Sequence, residues 1–366
     1  MEFFATAAFG LEGLVKRELQ SLGIVGQCEN GGVRFAGTWE QAFRANLWLR
    51  TADRVLLIVG EGEATSFEEL FQFVFDLPWE GYLPRNAAFP VSGKCARSQL
   101  MSVRDCQAIT KKAVAERMKR YYHCGWCEEN GAEYKLDVSL HDDKARLTID
   151  TSGIALNRRG YRTWNGEAPL RETLAAALVM LSPLRDDMPL WDPCCGTGTL
   201  LIEAAYLRAN RAPGLTREFA CEKWEQLHTA ITKQMRQEAE AAVDPGAIGS
   251  IGGSDIDPQA LDLCKKHLKQ AGLSGRVTLK QADLKDLTLA CHAPLFLLNP
   301  PYGERLSDRK ACEKLYHELR LLRDRHENSR MAVITAHNGF ERCFGQRAPQ
   351  KRRFYNGRLE CQYYIY

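Results

Sequence analysis

The sequence holds no apolar run that approaches the length of a membrane span, and its first residues, Met1-Glu-Phe-Phe-Ala-Thr6, lack the basic start of a secretory signal. Both absences lead to the expectation of a cytoplasmic protein with no membrane partner. Charge of one sign is scarce too: a net of +3 is too small to argue for a polyanionic partner, so the distribution of cations must carry that question. Thirteen cysteines without a secretion signal are expected as reduced thiols rather than a disulfide framework. Only Cys124-Gly-Trp-Cys127, preceded by His123, has metal or redox spacing. A zinc site lacks its second ligand pair, and a thioredoxin-type motif would open a helix where this one ends a basic helix, so no metal is expected. What is present is an ordinary globular composition, 45% hydrophobic and 26% charged over 366 residues, long enough for two or three domains with their own cores.

The stretch Asp192-Pro-Cys-Cys-Gly-Thr-Gly-Thr199 organises the chain. The run from Met188 to Trp191 reads as a strand, Gly196 and Gly198 as a tight turn, and Thr199 to Tyr206 as the helix that follows. A dinucleotide loop wants a third glycine three residues after the second, and that position is Leu201. Asp192 instead puts a carboxylate where a cationic group sits, while free amides at the helix start can receive a carboxylate. S-adenosylmethionine carries both groups on one amino-acid tail. Asn299-Pro-Pro-Tyr302 adds the second half of the chemistry. The run Pro294 to Leu298 reads as a buried strand, and two prolines stop its ladder and stiffen the backbone. The Asn299 side-chain oxygen and the Pro300 carbonyl can then accept from an exocyclic amine while Tyr302 stacks on the ring that bears it. Two acceptors that pull the amine hydrogens out of plane return its lone pair to nitrogen.

The chain resembles the THUMP-domain class I methyltransferases, the family of bacterial guanine-N2 methyltransferases acting on 23S ribosomal RNA, with transfer-RNA relatives. The resemblance runs through Gly10-Leu-Glu12, Trp79 to Gln107, Asp150-Thr-Ser-Gly153, Arg159-Gly-Tyr-Arg162, Gly166 to Leu174, the glycine loop, Arg211-Ala-Pro-Gly214 and Asn299 to Arg305. Cys194 departs from it, standing where relatives usually carry an aromatic residue. The implied organisation is an N-terminal ferredoxin-like α+β domain over 1–60, a THUMP RNA-binding domain over 61–162 and a class I methyltransferase domain over 163–366. In that last domain a Rossmann-like α/β fold carries a seven-stranded sheet with an antiparallel last strand. The implied cofactor is S-adenosylmethionine, and the implied partner is RNA, either 23S rRNA or a pre-ribosomal particle, with transfer RNA as the second candidate.

Candidate site residues follow from these stretches. Asn299, Pro300, Pro301 and Tyr302 form the catalytic set. The cofactor set is Asp192, Pro193, Cys195, Gly196, Thr197, Gly198, Thr199, Asp255, Ile256, Asp283, Leu284 and Asn299, joined by Glu172 and Thr173 from the resemblance. Asp255 is expected to accept both ribose hydroxyls, in preference to Asp257, which caps a helix ahead of Pro258. Asp283 is expected to face an adenine amine. For RNA, the candidates are Lys94, Arg97, the helix cations Lys111, Lys112, Lys119 and Arg120, and Arg158, Arg159 and Arg162, which interleave with an aromatic. A charged helix standing alone is usually only a solvated face.

Along the chain, helices are expected over Leu11 to Leu22, Trp39 to Leu49, Ser66 to Asp76, Val103 to Tyr122 and Pro169 to Leu181, with strands at Phe3 to Ala7, Gly32 to Ala36 and Arg54 to Val59. The interval between Asp192 and Asp255 is unusually long. The excess, about Arg211 to Asp244, contains the polar helical run Glu222 to Ala242 and is expected to be an insertion covering the sheet or the substrate cleft. The last strands form a hairpin about Asn356-Gly357. Little chain follows Tyr302, so recognition is expected to come largely from the N-terminal half. The order of the two motifs fits amino methylation of a base and leaves adenine N6 on DNA or RNA as the alternative to guanine N2.

Overall fold

The computed structural model describes residues 1–162, 170–302, 306–357 and 359–366, without the side chains of 306–309. Two seven-stranded sheets account for the architecture. The first is built from β1 (Glu2–Ala7), β2 (Gly26–Glu29), β3 (Gly32–Ala36), β4 (Ala52–Glu63), β5 (Val91–Ala96), β6 (Leu136–His141) and β7 (Lys144–Asp150), with α1 (Glu12–Ser21), α2 (Trp39–Trp48), α3 (Phe67–Asp76) and α4 (Val103–Tyr122) between them. Its order is β2-β3-β1-β4-β7-β6-β5. The 12-residue β4 pairs with β1 on one side and β7 on the other, so a single sheet runs through residues 1–60 and 61–162 alike. One apolar cluster lies under this sheet, from Phe3 and Val15 to Met118 and Ile149. α4 contributes Cys106, Thr110, Ala113, Val114 and Met118 to it, starting at a Ser102 cap that accepts from the Asp105 amide and ending at left-handed His123.

The second sheet comprises β8 (Leu190–Asp192), β9 (Ile251–Asp255), β10 (Thr278–Gln281), β11 (Leu295–Leu298), β12 (Arg330–Thr335), β13 (Gln350–Asn356) and β14 (Leu359–Ile365), in the order β10-β9-β8-β11-β12-β14-β13. The first five of that order run parallel, while β14 pairs antiparallel with β12 and β13. All four residues of β11 are buried, as a strand covered on both faces requires. Two apolar clusters cover the faces of this sheet. The helices are α5 (Glu172–Leu181), α6 (Thr199–Arg208), α7 (Thr229–Ala241), α8 (Pro258–Gln270), α9 (Leu306–Arg325) and α10 (Phe340–Phe344). In such a sheet ligands bind beyond the strand carboxyl ends, where the order reverses; that point lies between β8 and β11.

One expectation is corrected here. The segment from Arg211 to Asp244 packs mainly on the N-terminal half rather than over the second sheet or the cleft, with Val243 near its end against the second sheet's cluster. Ala212, Phe219, Cys221, Trp224, Leu227, Met235 and Ala239 all join the N-terminal core cluster. Trp224 stacks on Tyr134 at 4.6 Å, edges Trp39 at 5.7 Å and donates to the Glu133 carbonyl, while Phe219 meets Phe43 edge-on. The segment is a strap that leaves the second sheet after α6, clasps the N-terminal half through its aromatics, and returns to β9. The other differences are local. The short polar edge strand β2 has no apolar alternation to announce it, and α5 begins at Glu172. Gly166 to Pro169 and Gly303 to Arg305 of the resemblance lie outside the described residues.

Candidate active site

Asp192 ends β8, and the chain turns through two left-handed glycines, Gly196 (φ 50°) and Gly198 (φ 84°), before α6 begins. The turn leaves little choice at Gly198, because a Cβ there would stand 2.5 Å from the Cys264 Sγ. The loop is pinned to β9 by the Cys195 amide, which donates to the Ser254 carbonyl at 2.9 Å, and by the Gly196 amide, which donates to Asp255 Oδ2 at 2.9 Å. α6 starts without a side-chain cap, so its first-turn amides are unclaimed by a cap, and its first residues, Thr199 and Leu200, line the cleft between the two motifs.

Across from this loop, β11 delivers Asn299. Tyr302 folds back so that its hydroxyl donates to the Asn299 Oδ1. A residue that sequence reasoning missed steadies the turn from behind: the buried Tyr316 on α9 donates to the Pro301 carbonyl at 2.9 Å and sits 3.2 Å from the Thr335 hydroxyl of β12. Burial pushes the Tyr302 and Tyr316 phenols up, so both are hydrogen-bond donors at neutral pH.

A cleft of about 510 Å³ separates the two motifs. Of the candidate cofactor residues, Asp192, Cys195, Gly196, Thr197, Thr199 and Asn299 line it, together with Cys194 and Leu170. Asp192 is only 2% exposed, and the Cys194 amide at 3.0 Å is its hydrogen-bond donor. Among the described residues no cation forms an ion pair with it. Burial, with the charge of Asp255 adding, pushes its carboxyl well above the usual carboxylate range. A buried carboxylate short of a cation, opposite uncapped helix amides, fits the ammonium and carboxylate of an amino-acid tail.

Other expected residues lie elsewhere. The Asp255 carboxylate receives the Gly196 amide on one oxygen and the Asp257 amide at 3.0 Å on the other, and it is Asp257, the α8 cap, that lines the cleft with Gln259. Ile256 is 65% exposed, Leu284 is a core residue, and Pro193 and Gly198 are buried within the loop. Asp283 caps a short turn by accepting from the Lys285 amide and pairs with the Lys285 ammonium, which together hold its carboxyl low. Thr173 donates to Asp53 of β4, and Glu172 pairs with Arg162.

The RNA set divides in the same way. Lys94, Arg97, Lys112, Arg120 and Arg158 are exposed, and Lys119 pairs with Glu116 on its own helix. Lys112 and Arg120 lie over Phe71 and Phe75 of α3. Lys111 is committed to Glu129 and the Phe89 carbonyl, with its ammonium 3.7 Å from the Phe89 ring centre. Arg159 is corrected: 2% exposed, it donates to the Leu156 and Arg50 carbonyls and pairs with Glu203, so it cannot reach an external phosphate. A larger groove of about 940 Å³ lies on the open face of the first sheet, away from both motifs. Its Arg34 and Arg146 are spent on Glu29 and Glu61, which makes it a solvated, charge-paired sheet face rather than the reaction cleft. Among the described residues no cluster of His, Cys, Asp and Glu could hold a metal, and no helix is long and apolar enough to cross a membrane.

Comparison with known proteins identifies the family. Residues 159–365 match a family model described as RMKL-like, methyltransferase domain; residues 2–56 match an RlmL ferredoxin-like domain and residues 64–150 a THUMP domain. A Bacillus subtilis protein named "Putative RNA methyltransferase YpsC" is 41% identical over 99% of this chain and 94% of its own. The ribosomal RNA large subunit methyltransferase K/L of Allochromatium vinosum is 33% identical over 98% of this chain and 51% of its own, so the chain spans about half the length of that relative. Two solved structures superpose over the whole chain: SMU.472 complexed with SAH, at 41% identity, TM-score 0.96 and 97% of that chain, and a Listeria monocytogenes protein called a predicted N6-adenine-specific DNA methylase, at 43%, 0.95 and 95%.

Proposed function

The chain belongs to the RMKL-like methyltransferase family, and on that premise we propose that it methylates the exocyclic N2 amine of a guanine in 23S ribosomal RNA. It is an RNA methyltransferase, and its methyl donor is S-adenosylmethionine. The observation that carries the proposal is the pairing across one cleft of a buried, cation-seeking Asp192 with Asn299 at the end of β11.

Asp192 would hold the ammonium of the donor, and the first-turn amides of α6 its carboxylate. Ribose hydroxyls would meet the acids after β9, where Asp257 lines the cleft and Asp255 supports the loop. Bound there, S-adenosylmethionine supplies a sulfonium methyl that a nitrogen lone pair can displace. Asn299 Oδ1 and the Pro300 carbonyl accept the two amine hydrogens, which directs the lone pair toward the cleft. The Asn299 oxygen has a second lone pair for an amine hydrogen beside the Tyr302 hydroxyl, and when that hydroxyl swings away the Tyr302 ring is free to stack on the base. The Tyr316 hydroxyl keeps the Pro301 peptide in place through that movement. No described side chain is dedicated to proton removal, and the surplus proton on nitrogen leaves to water.

Exposed cations on the N-terminal half, Lys94, Arg97, Lys112, Arg120 and Arg158, supply candidate phosphate contacts, which fits a substrate recognised outside the catalytic domain. An unpaired loop or bulge is the cheapest target, because its base needs little unstacking. The name of the Listeria neighbour favours a second reading, adenine N6, to which the same two acceptors would serve. Nucleoside mass spectrometry of ribosomal and transfer RNA, from cells with and without the gene, separates these readings. Loss of N2-methylguanosine from the large-subunit fraction, restored by purified protein, is expected. The same loss confined to transfer RNA would change the substrate, and a change in N6-methyladenine alone would overturn the choice of base.

A further inference from the structure

Arg162 is expected on the RNA with its neighbours, and in the structure it contacts two residues that line the cleft between the motifs. Its side chain is 11% exposed. One guanidinium nitrogen pairs with Glu172 Oε1 at 2.8 Å, and the other donates to the Leu170 carbonyl at 3.0 Å and lies 3.5 Å from the Thr199 hydroxyl. Leu170 and Thr199 both line the cleft, on separate segments: Leu170 just before α5, Thr199 as the first residue of α6. Asn157 Nδ2, 3.4 Å from the other Glu172 oxygen, ties the pair to the chain that arrives from the N-terminal half.

We propose that Arg162 is a positioning residue that sets the mouth of the donor cleft, by holding the Leu170 wall and the first turn of α6 at one separation. The inference rests on reading that cleft as the S-adenosylmethionine site. Arginine suits the task because its rigid fork reaches three acceptors on two elements at once, which the point charge of lysine cannot do. Glu172 balances the charge that burial would otherwise make costly; burial raises the Glu172 carboxyl and the Arg162 charge opposes that rise. α6 has no side-chain cap, so the direction of its first amides depends on what holds Thr199. A small displacement there misaligns the donors meant for the ligand carboxylate.

The test measures S-adenosylhomocysteine affinity by calorimetry and RNA affinity by anisotropy over a salt series, for wild type, Arg162→Ala, Arg162→Lys and Thr199→Val. Arg162→Ala should weaken S-adenosylhomocysteine binding about tenfold, the scale of losing one charge-assisted contact network. It should raise KM for S-adenosylmethionine more than it lowers kcat, and leave RNA affinity and its salt slope unchanged. Arg162→Lys should recover part of the loss, and Thr199→Val should weaken the same ligand a few-fold with no effect on RNA. The proposal is overturned if Arg162→Ala binds S-adenosylhomocysteine like wild type, or if RNA affinity drops with a salt slope smaller by about one, the signature of a lost phosphate contact. If Arg162→Ala does not fold, the lysine and valine variants decide by the same criteria. Failure of wild type to bind S-adenosylhomocysteine would instead overturn the reading of the cleft itself.

Discussion

Substituting Gly198 by alanine tests the geometry of the loop in a way that separates its two causes. The residue sits at φ 84°, where an L side chain costs about 1–2 kcal/mol, and its new Cβ would meet the Cys264 Sγ at 2.5 Å. Overpacking of that kind in a close-packed interior costs about 1–3 kcal/mol more, so the loss should total about 2–5 kcal/mol. Gly196→Ala is the control: φ is 50°, nothing lies within 4 Å of its Cβ, and only the backbone part should be lost. Cys264→Ala is the second control, because it deletes the sulfur and leaves the Cys264 Cβ at 3.6 Å, an ordinary contact. In a double-mutant cycle Gly198→Ala with Cys264→Ala should therefore recover about 1–3 kcal/mol of the single-mutant loss, well beyond the few tenths expected of independent sites. Urea-unfolding midpoints at constant slope read the energies, and S-adenosylhomocysteine calorimetry reports whether the α6 amides stay in place. Additive losses, or a Gly196→Ala as damaging as Gly198→Ala, would refute the steric reasoning.

Two further outcomes follow from the site. Tyr302→Phe frees the Asn299 acceptor and keeps the ring, so methyl transfer should persist with equal or better kcat/KM for RNA, whereas Tyr302→Ala should lose the stacking, about 1–3 kcal/mol per base; equal damage in both variants would show that the hydroxyl itself is needed. Asp192 titrates high in the free protein because it is buried, and an arriving ammonium favours its ionised form, so ligand binding should release a proton and tighten as pH rises from the ordinary carboxylate range up to the raised value. The sign for stability is the opposite. A raised folded pKa contributes stability that is present at acid pH and fades as pH climbs through it. Calorimetry in two buffers of different ionisation enthalpy measures the proton, and Asp192→Asn should abolish both the release and most of the affinity.

What the sequence made legible has a common physical basis: local rules with few alternatives. Asn356-Gly357 between alternating strands specifies a hairpin, and β13 pairs with β14 up to Asn356 and Leu359. Gly196 and Gly198 announced a turn that needs left-handed residues, and two prolines after an apolar run ended β11 where Asn299 had to be. The strands β6 and β7 carry alternation, since Leu136, Val138 and Leu140 are buried, as are Ala145, Leu147 and Ile149, but no glycine marks their hairpin: the turn is made by two left-handed aspartates, Asp142 and Asp143. Other features depended on distant partners. Arg158 and Arg159 are indistinguishable as letters, yet one faces water and the other is buried because Glu203 and the Arg50 carbonyl, supplied from elsewhere in the chain, meet it. Which of Asp255 and Asp257 lines the cleft depends on which carboxylate the Gly196 amide claims, and no spacing rule encodes that.

The same distant partners explain how the two halves are joined. Arg50, in the turn before β4, donates to the Arg211 carbonyl where the strap begins, and its own carbonyl accepts from Arg159, whose guanidinium pairs with Glu203 on α6. Tyr161 donates to Glu203 as well, and Glu18 of α1 receives the Arg50 and Thr51 amides. Such buried charges contribute little net stability against an apolar replacement, but removing one partner strands the rest, so the network tolerates one relative placement of the sheets and penalises others. The aromatics of the strap add an apolar clasp on the same junction. An enzyme whose recognition surface and reaction cleft lie on different sheets needs a fixed relation between them. Here α6, which presents its first amides to the cleft, is also the helix that carries Glu203 into the junction, so the geometry of the donor site is referenced directly to the half proposed to hold the RNA.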